Sequence, residues 1–212
     1  MNVIVIEGGI ASGKTHILEM MRGAYICGKR VVLVKEPVRE WCSTPHGNLL
    51  KMFNEDKSTH AFAFQVLAMT TLADQRHEFC ETDCIYFVER SLDSAYHVFQ
   101  PILQAGGFIS VPQGYVLKKL YKYLSEAVTK PRGIIYLDTP IDIAFQRLRL
   151  RGKEADSTLT KDYLVEICLQ YKRFLSVEDS LPVLNITPEQ INSTPPTELI
   201  SRWIWKHLYS GR

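Results

Sequence analysis

The chain has 212 residues, of which 46% are hydrophobic and 23% charged, so it has enough apolar residues for a full core and too many for a disordered protein. A net charge of +2 excludes a general electrostatic attraction to nucleic acid or membranes. No apolar run is close to the length of a membrane-spanning helix, which needs about 18 residues. The five cysteines are odd in number and form no Cys-x-x-Cys pair, so we expect reduced thiols and a cytoplasmic protein without a signal peptide.

The first predicted strand, over residues 2–7, leads directly into a glycine-rich segment. This segment reads Gly8-Gly9-Ile10-Ala11-Ser12-Gly13-Lys14-Thr15. It fits the phosphate-binding loop pattern, in which glycines allow the loop N–H groups to surround an anion at the start of a helix. Lys14 would then reach the β- and γ-phosphates of ATP, and the Thr15 hydroxyl would bind Mg²⁺. The alternative is a chance match in a glycine-rich turn.

Strands and helices alternate along the rest of the chain. Further strands are predicted over 29–35, 84–89, 133–138 and 182–186. Helices are predicted over 16–26, 48–53, 58–80, 91–105, 112–129, 139–151 and 160–176 and near the C-terminus, with a loop over 38–48. This alternation predicts one α/β domain over residues 1–212, built on a five-stranded parallel sheet with helices on both faces. Ligands of such sheets bind beyond the carboxyl ends of the strands.

Two carboxylates stand at these strand ends. Glu36 follows the second strand and could accept a hydroxyl proton as a general base, or it could be an ordinary solvated glutamate. Glu89 ends the third strand and could hold Mg²⁺ through water, while Arg90 could bind the phosphoryl oxygens or the acceptor. The plain alternative for this last pair is an ordinary ion pair.

Three arginines, Arg147, Arg149 and Arg151, alternate with leucines before Gly152. Alternate positions do not share one helical face, so these residues form no simple stripe. Several guanidinium groups beside a glycine hinge suit a mobile lid, about residues 147–158, that closes over the transferring phosphate. A solvated basic end of a helix is the alternative interpretation.

Taken together, these stretches resemble the deoxynucleoside kinases of the insect multisubstrate, mitochondrial thymidine and deoxycytidine/deoxyguanosine type, in a compact cytosolic or viral form. The phosphate loop alone occurs in many families, but further motifs follow in the family's order. They are Lys35-Glu36-Pro37-Val38-Arg39-Glu40-Trp41, His46-Gly47-Asn48-Leu49-Leu50, Phe64-Gln65, Glu89-Arg90-Ser91 and the segment from Arg147 to Asp156. The resemblance implies a P-loop kinase fold and transfer of the ATP γ-phosphate to the 5′-hydroxyl of a deoxynucleoside with Mg²⁺. It also implies a homodimer, with helices 91–105 and 160–176 as candidates for its interface.

The resemblance further implies roles for individual residues. Glu36 would take the proton from the 5′-hydroxyl, with Arg90 near that hydroxyl and the phosphate. Gln65 would pair with the base edge through its amide, which has both a donor and an acceptor. The remaining substrate and phosphate contacts would come from Phe64 and Phe99 around the base, Ile10 and Trp41 along the cleft, the three lid arginines, and Asp156 near the sugar 3′-hydroxyl.

The chain departs from the family pattern where the sugar and base would bind. A tyrosine that usually contacts the 3′-hydroxyl is replaced by Phe53-Asn54, and the sequence leaves open which of the two faces the sugar. Lys153 stands where an arginine is usual, and Ala155 where an acid is usual. Charged residues of the deoxycytidine-type pocket correspond to Leu72 and Ala95, with Ala68 alongside. These small apolar residues favour thymidine and deoxyuridine, with deoxycytidine left open.

Two other functions are compatible with parts of this sequence. Kinases of the thymidylate type share the fold and the Glu-Pro step after the second strand, but they typically carry Asp-Arg after the third. Glu89 and Trp41 therefore favour a nucleoside as acceptor. A non-catalytic nucleotide-binding module would bind ATP without acceptor-dependent release of ADP, and the intact set of Lys14, Thr15, Glu36, Glu89 and Arg90 argues against it.

Overall fold

A computed structural model describes residues 2–77, 82–177 and 180–210. Within these ranges six strands form one sheet in the order β2-β3-β4-β1-β5-β6. The strands are Asn2–Gly8 (β1), Tyr25–Ile26 (β2), Lys29–Val34 (β3), Cys84–Glu89 (β4), Gly133–Leu137 (β5) and Val183–Ile186 (β6). All neighbouring pairs are parallel except β2 and β3, which are antiparallel. The α/β class is therefore confirmed, whereas the predicted count of five strands is wrong by one.

The additional strand β2 replaces the end of the predicted helix 16–26. The helix stops at Met20, and the chain then turns through Gly23, which has a φ of 73°. Cys27 and Gly28 link β2 to β3 with φ values of 52° and 74°. Two consecutive positive φ values are typical of a type I′ hairpin turn, which usually contains Asn-Gly. A cysteine at the first central position gives no such signal, so the hairpin was not predicted.

Helices surround the sheet. The α-helices are Lys14–Met20 (α1), Val38–Cys42 (α2), Leu49–Glu55 (α3), Lys57–His77 (α4), Leu92–Ser94 (α5), Gln100–Ala105 (α6), Val111–Ala127 (α7), Ile141–Arg151 (α8), Lys161–Val177 (α9), Pro188–Ser193 (α10) and Pro196–Ile204 (α11). Two π-helices cover Ala95–Phe99 and Trp205–Tyr209, and a 3₁₀ turn covers Glu154–Asp156. Helix α2 lies in the predicted loop 38–48, and the predicted end of α4 near Cys80 falls outside the described residues.

Strand β1 is the centre of the fold, since all seven of its residues are buried. Its side chains alternate between two cores, as expected for a strand covered on both faces. Ile4 and Ile6 pack in a core that includes side chains of α1 and α11. Val3 and Val5 pack in another core, against which residues such as Leu175 of α9 pack. The predicted helices on both faces are thus confirmed.

A further core joins α4 to α3, α7 and the π-helix Ala95–Phe99. Leu72 of α4 packs there together with Trp41 and Leu117. Side chains of α3, α4 and the π-helix Ala95–Phe99, together with the loop after β1, line a cleft at the carboxyl ends of β1, β3 and β4. Across the described parts of the chain, no helix is both long and apolar enough to span a membrane.

Candidate active site

The loop after β1 has the backbone that its glycines predict. Gly8 has a φ of 146°, and a Cβ atom there would lie 2.7 Å from Ser12 Oγ and 3.0 Å from the carbonyl oxygen of Leu137. Gly13, with a φ of 102°, is the N-cap of α1. Ala11 also has a positive φ of 59°, which is uncommon for a residue with a side chain. The loop therefore holds the start of α1 toward the cleft, where an anion can bind.

Lys14 is the first residue of α1, and only 5% of it is exposed. Its Nζ donates hydrogen bonds to the carbonyl oxygens of Gly8 (3.1 Å) and Gly9 (2.8 Å). Burial, together with repulsion from Arg90, lowers the pKa of Lys14 to about 8, although neighbouring carboxylates partly oppose this change. The folded protein thus holds a cation at an electrostatic cost in the place where phosphate oxygens would compensate it.

Thr15 and Glu89 meet across the sheet edge. Thr15 Oγ1 donates a hydrogen bond to Glu89 Oε1 at 2.6 Å, and Glu89 is buried at the end of β4. Hydroxyl and carboxylate oxygens are suitable ligands for Mg²⁺. No group of three His, Cys, Asp or Glu side chains that could hold a metal ion occurs within the described ranges. A cation here would therefore also need phosphate oxygens and water, which is how Mg²⁺ is usually bound beside nucleotides.

Glu36 pairs with Arg90 rather than standing alone in solvent. Arg90 Nε donates to Glu36 Oε1, and the side chain of Glu36 is 15% exposed. Arg90 also donates from Nη1 to the Tyr171 hydroxyl at 2.8 Å, and its guanidinium lies 4.5 Å from the centroid of the Phe99 ring. Burial alone would lower the pKa of Arg90, but Glu36 and the other negative groups outweigh burial and raise it. Arg90 is thus a permanently charged partner for the carboxylate predicted as the base.

Aromatic residues form the opposite end of the cleft. The rings of Phe53 and Phe64 stack with centroids 4.5 Å apart, and Trp41 meets Phe64 edge to face at 5.5 Å. The Trp41 indole N–H donates to Thr71 Oγ1 at 2.9 Å. One face of Phe64 is therefore covered by Phe53, while Phe99 lies over Arg90.

The Gln65 amide is oriented by the backbone beside this aromatic group. Gln65 is 2% exposed, and its Nε2 donates to the carbonyl oxygen of Ala95. Ala95 is the first residue of the π-helix, so the irregular segment after β4 supplies the acceptor. Ala68, Leu72 and Ala95 are buried and line the same part of the cleft.

The three arginines of the predicted lid point to different partners. Arg147 Nη1 donates to the carbonyl oxygen of Ser12 at 3.2 Å, and Arg151 Nε donates to Asp156 Oδ2 at 2.7 Å. Arg149 instead donates to the carbonyl oxygens of Ser157 (3.1 Å) and Leu159 (2.9 Å). Arg147 and Arg151 line the cleft, whereas Arg149 does not.

The segment after α8 contacts α3 through Asn54. The Asn54 side-chain amide donates to the carbonyl oxygen of Ala155. The Thr158 hydroxyl in turn donates to the carbonyl oxygen of Asn54 at 3.0 Å. This segment thus closes one side of the cleft.

The cleft has a volume of about 1150 Å³ and brings together most of the residues predicted from the sequence. Its lining includes Ile10, Ala11, Ser12, Gly13, Lys14, Thr15, Glu36, Trp41, Phe53, Asn54, Phe64, Gln65, Ala68, Leu72, Glu89, Arg90, Ala95, Phe99, Arg147, Arg151 and Asp156. Gly8, Gly9 and Arg149 do not line it. The sequence analysis assigned no role to two residues beneath the cleft, Glu7 and Tyr171. Tyr171 accepts a hydrogen bond from Arg90 and donates one to Glu7. The one signal that could have indicated a role for Glu7 is its charge, since it lies in the apolar strand 2–7.

Comparison with known proteins places this geometry in a family. A protein of invertebrate iridescent virus 3 that is named as a kinase is 28% identical over 207 residues, covering 97% of this chain and 95% of the relative. The mitochondrial thymidine kinase 2 of Macaca fascicularis is 28% identical over 183 residues, covering 86% of this chain and 67% of the relative. Deoxycytidine kinase 2 of Gallus gallus is 25% identical over 198 residues, covering 81% and 73% respectively.

The family model described as deoxynucleoside kinase matches residues 4–208. This match contains the phosphate-binding loop, the strand-end residues Glu36, Glu89 and Arg90, and the lid segment. Membership implies ATP as the phosphate donor and a nucleoside as the acceptor. The chain therefore belongs to the deoxynucleoside kinase family of phosphotransferases.

Proposed function

We propose that this kinase transfers the γ-phosphate of ATP to the 5′-hydroxyl of thymidine or a related pyrimidine deoxynucleoside. The observation that carries the proposal is the position of the Glu36–Arg90 pair. It lies in one cleft with the phosphate-binding loop, Ala68, Leu72 and Ala95. Glu36 would accept the hydroxyl proton while the hydrogen bond from Arg90 keeps that carboxylate oriented.

The phosphate side of the cleft would act by neutralising charge. Lys14 and the N–H groups at the start of α1 would bind the phosphates of ATP, and the transition state spreads negative charge over the transferred group. Arg147 and Arg151 would add charge from the lid. Arg149 would first have to release the carbonyl oxygens of Ser157 and Leu159 to join them. Bound Mg²⁺, held on the side of Thr15 and Glu89, would supply further charge neutralisation.

The nucleoside side would act by positioning. Gln65 would pair with the base edge, with Phe64 and Phe99 beside the base and Ile10 and Trp41 along the cleft. The ring of Phe53 stacks on that of Phe64. Of Phe53 and Asn54, Asn54 is therefore the residue that would face the sugar, together with Asp156. Ala68, Leu72 and Ala95 would leave room for the 5-methyl group of thymine, a difference of about 1–3 kcal/mol per methyl-sized group.

The test is ADP release from ATP·Mg²⁺ with each of five acceptors: thymidine, deoxycytidine, deoxyadenosine, deoxyguanosine and thymidine monophosphate. We expect turnover with thymidine to exceed turnover with the purine nucleosides. Activity with the monophosphate alone would instead indicate a kinase of the thymidylate type. ATP binding without ADP release for any acceptor would indicate a non-catalytic module.

A matched variant connects this assay to the site. Glu36→Gln keeps the size of the side chain but removes the base, so kcat should fall by about 10²-fold or more while nucleoside binding persists. If nucleoside binding is lost while kcat at saturation stays normal, Glu36 is a sugar ligand and not the base.

We also propose that the chain acts as one domain and as a homodimer in the cytoplasm. The family match over residues 4–208 supports a single unit. Helix α9 exposes Val165 and Leu169, which supports its predicted part in an interface. Cys27, Cys42 and Cys168 form no disulfide within the described residues, which agrees with a reducing compartment. Light scattering coupled to size-exclusion chromatography tests the dimer, and fluorescence microscopy of a tagged chain tests the location.

A further inference from the structure

A buried polar network lies beneath Arg90. Glu7, on the central strand β1, and Tyr171, on α9, are both fully buried. The Tyr171 hydroxyl donates to Glu7 Oε2 at 2.8 Å and accepts from Arg90 Nη1 at the same distance. The Ser91 hydroxyl donates to the other oxygen, Glu7 Oε1, at 2.5 Å. Both carboxylate oxygens of Glu7 are thereby satisfied by hydroxyl groups.

Such a network is costly to place in a core. A buried carboxylate loses its hydration, and burial raises the pKa of Glu7 even though Arg90, Ser91 and Tyr171 oppose that change. Burial also raises the pKa of Tyr171 well above its usual value, so its hydroxyl keeps the proton that it donates to Glu7. An apolar pair of similar size would fill this space without that cost.

The network ends at the residue that faces the reaction. The guanidinium of Arg90 is held on three sides, by Glu36, by the Tyr171 hydroxyl and by the ring of Phe99. Within the described ranges two of its five N–H groups donate to Glu36 and Tyr171, so three remain for oxygens of the substrates. Arg90 itself has a φ of 68°, so the backbone does not favour this placement and side-chain contacts must stabilise it.

We propose that Tyr171 and Glu7 are positioning residues, which hold the Arg90 guanidinium so that it orients Glu36 toward the 5′-hydroxyl of the acceptor. Glu7 and Glu36 both attract the Arg90 guanidinium, and the Tyr171 hydroxyl stands between Glu7 and that guanidinium. Without that hydroxyl, Arg90 is free to turn inward toward Glu7 and away from Glu36. This inference rests on the proposed function of Glu36 and Arg90.

The test is a double-mutant cycle of Tyr171→Phe with Arg90→Lys, read as steady-state kcat and as KM for ATP and thymidine. Tyr171→Phe keeps the ring and should lower kcat by about tenfold while KM for ATP stays within about twofold. In the Arg90→Lys background the same change should lower kcat by less than about twofold, because the group through which Tyr171 acts is already altered. A merely structural role would give multiplicative effects.

Tyr136→Phe is the matched control. Tyr136 is a buried tyrosine of the same core with its ring 5.5 Å from that of Tyr171, and Arg90 donates to Tyr171 rather than to Tyr136. Its kcat should stay within about twofold of the wild type. Equal losses in the two Tyr→Phe variants, unchanged kcat in Tyr171→Phe, or multiplicative effects in the cycle would each overturn the inference.

A second variant covers the case in which Tyr171→Phe does not fold, as judged by circular dichroism. Glu7→Gln keeps the shape of the side chain but replaces one acceptor oxygen by an amide N–H donor. That donor then faces the hydroxyl of either Ser91 or Tyr171, each of which donates to Glu7 in the wild type. It should show the same non-multiplicative behaviour with Arg90→Lys, and multiplicative effects would again refute the inference. An inactive wild type would refute the proposed function, whereas multiplicative effects in an active enzyme refute only the role of the network.

Discussion

The buried ammonium group of Lys14 makes a stability measurement possible that needs no substrate. The variant is Lys14→Met, which keeps an unbranched side chain of similar length and removes the charge. Lowering the pKa of Lys14 from 10.5 to about 8 corresponds to roughly 3 kcal/mol of penalty on the charged form in the folded protein. Because the folded state binds this proton less tightly than the unfolded chain, the penalty is fully present below about pH 8 and disappears as the pH rises toward 10.5.

The assay is urea unfolding of the wild type and Lys14→Met without nucleotide at several values from pH 7 to pH 9.5. The free energy of unfolding of the wild type, relative to the variant, should rise by about 2 kcal/mol over this range. The variant lacks the hydrogen bonds from Lys14 to Gly8 and Gly9, which changes its free energy of unfolding by a nearly constant amount at every pH. The slope of the stability difference against pH therefore reports the ionisation of Lys14 alone.

A difference between the two proteins that stays constant with pH would refute the reasoning, because Lys14 would then ionise in the fold as it does in the unfolded chain. Saturating ATP provides an internal control. Phosphate oxygens favour the charged ammonium, so the slope should shrink when ATP is bound. Turnover of Lys14→Met should be lower than that of the wild type by orders of magnitude, and a near-normal rate would contradict the assignment of the phosphate-binding loop.

Three further outcomes are expected. Gly133→Ala would place Cβ 2.5 Å from Trp203 Cη2, so urea unfolding should show a loss of about 1–3 kcal/mol; an unchanged midpoint would contradict the close packing of β5 on α11. Glu89→Gln should raise the Mg²⁺ concentration for half-maximal activity by about tenfold, and an unaltered Mg²⁺ titration would remove Glu89 from the metal site. Asn54→Ala loses its bond to the carbonyl of Ala155, so limited proteolysis should cut residues 153–158 faster; equal cleavage rates would argue against this contact.

The sequence predicted the parts of the fold that depend on local signals. Apolar runs between glycines and prolines located β1 and β3 to β6, and the glycines of the loop predicted the positive φ values at Gly8 and Gly13. The alternation of Arg147, Arg149 and Arg151 predicted that they share no single face, and Arg149 does point away from the cleft. Such signals are carried by a few neighbouring residues.

The missed features depend on contacts between distant parts of the chain. The pairing of Glu36 with Arg90 joins residues 54 apart, and the bond from Arg90 to Tyr171 joins residues 81 apart. Tyr171 lies within the predicted helix 160–176, but no local pattern indicates what its hydroxyl contacts. The hairpin at β2 was missed for a different reason, since Cys27 adopts a left-handed conformation that glycine or asparagine normally supplies.

The contact between α3 and the lid has a consequence for how this enzyme can change during evolution. Asn54 donates to the peptide carbonyl of Ala155, and Thr158 donates to the peptide carbonyl of Asn54. A peptide carbonyl is present whatever side chain follows it, so replacement of Ala155 leaves its acceptor in place. Position 155 lines the cleft and can therefore acquire larger or charged side chains while the lid stays anchored. The protein thus contains one site at which substrate preference can drift at little cost in stability.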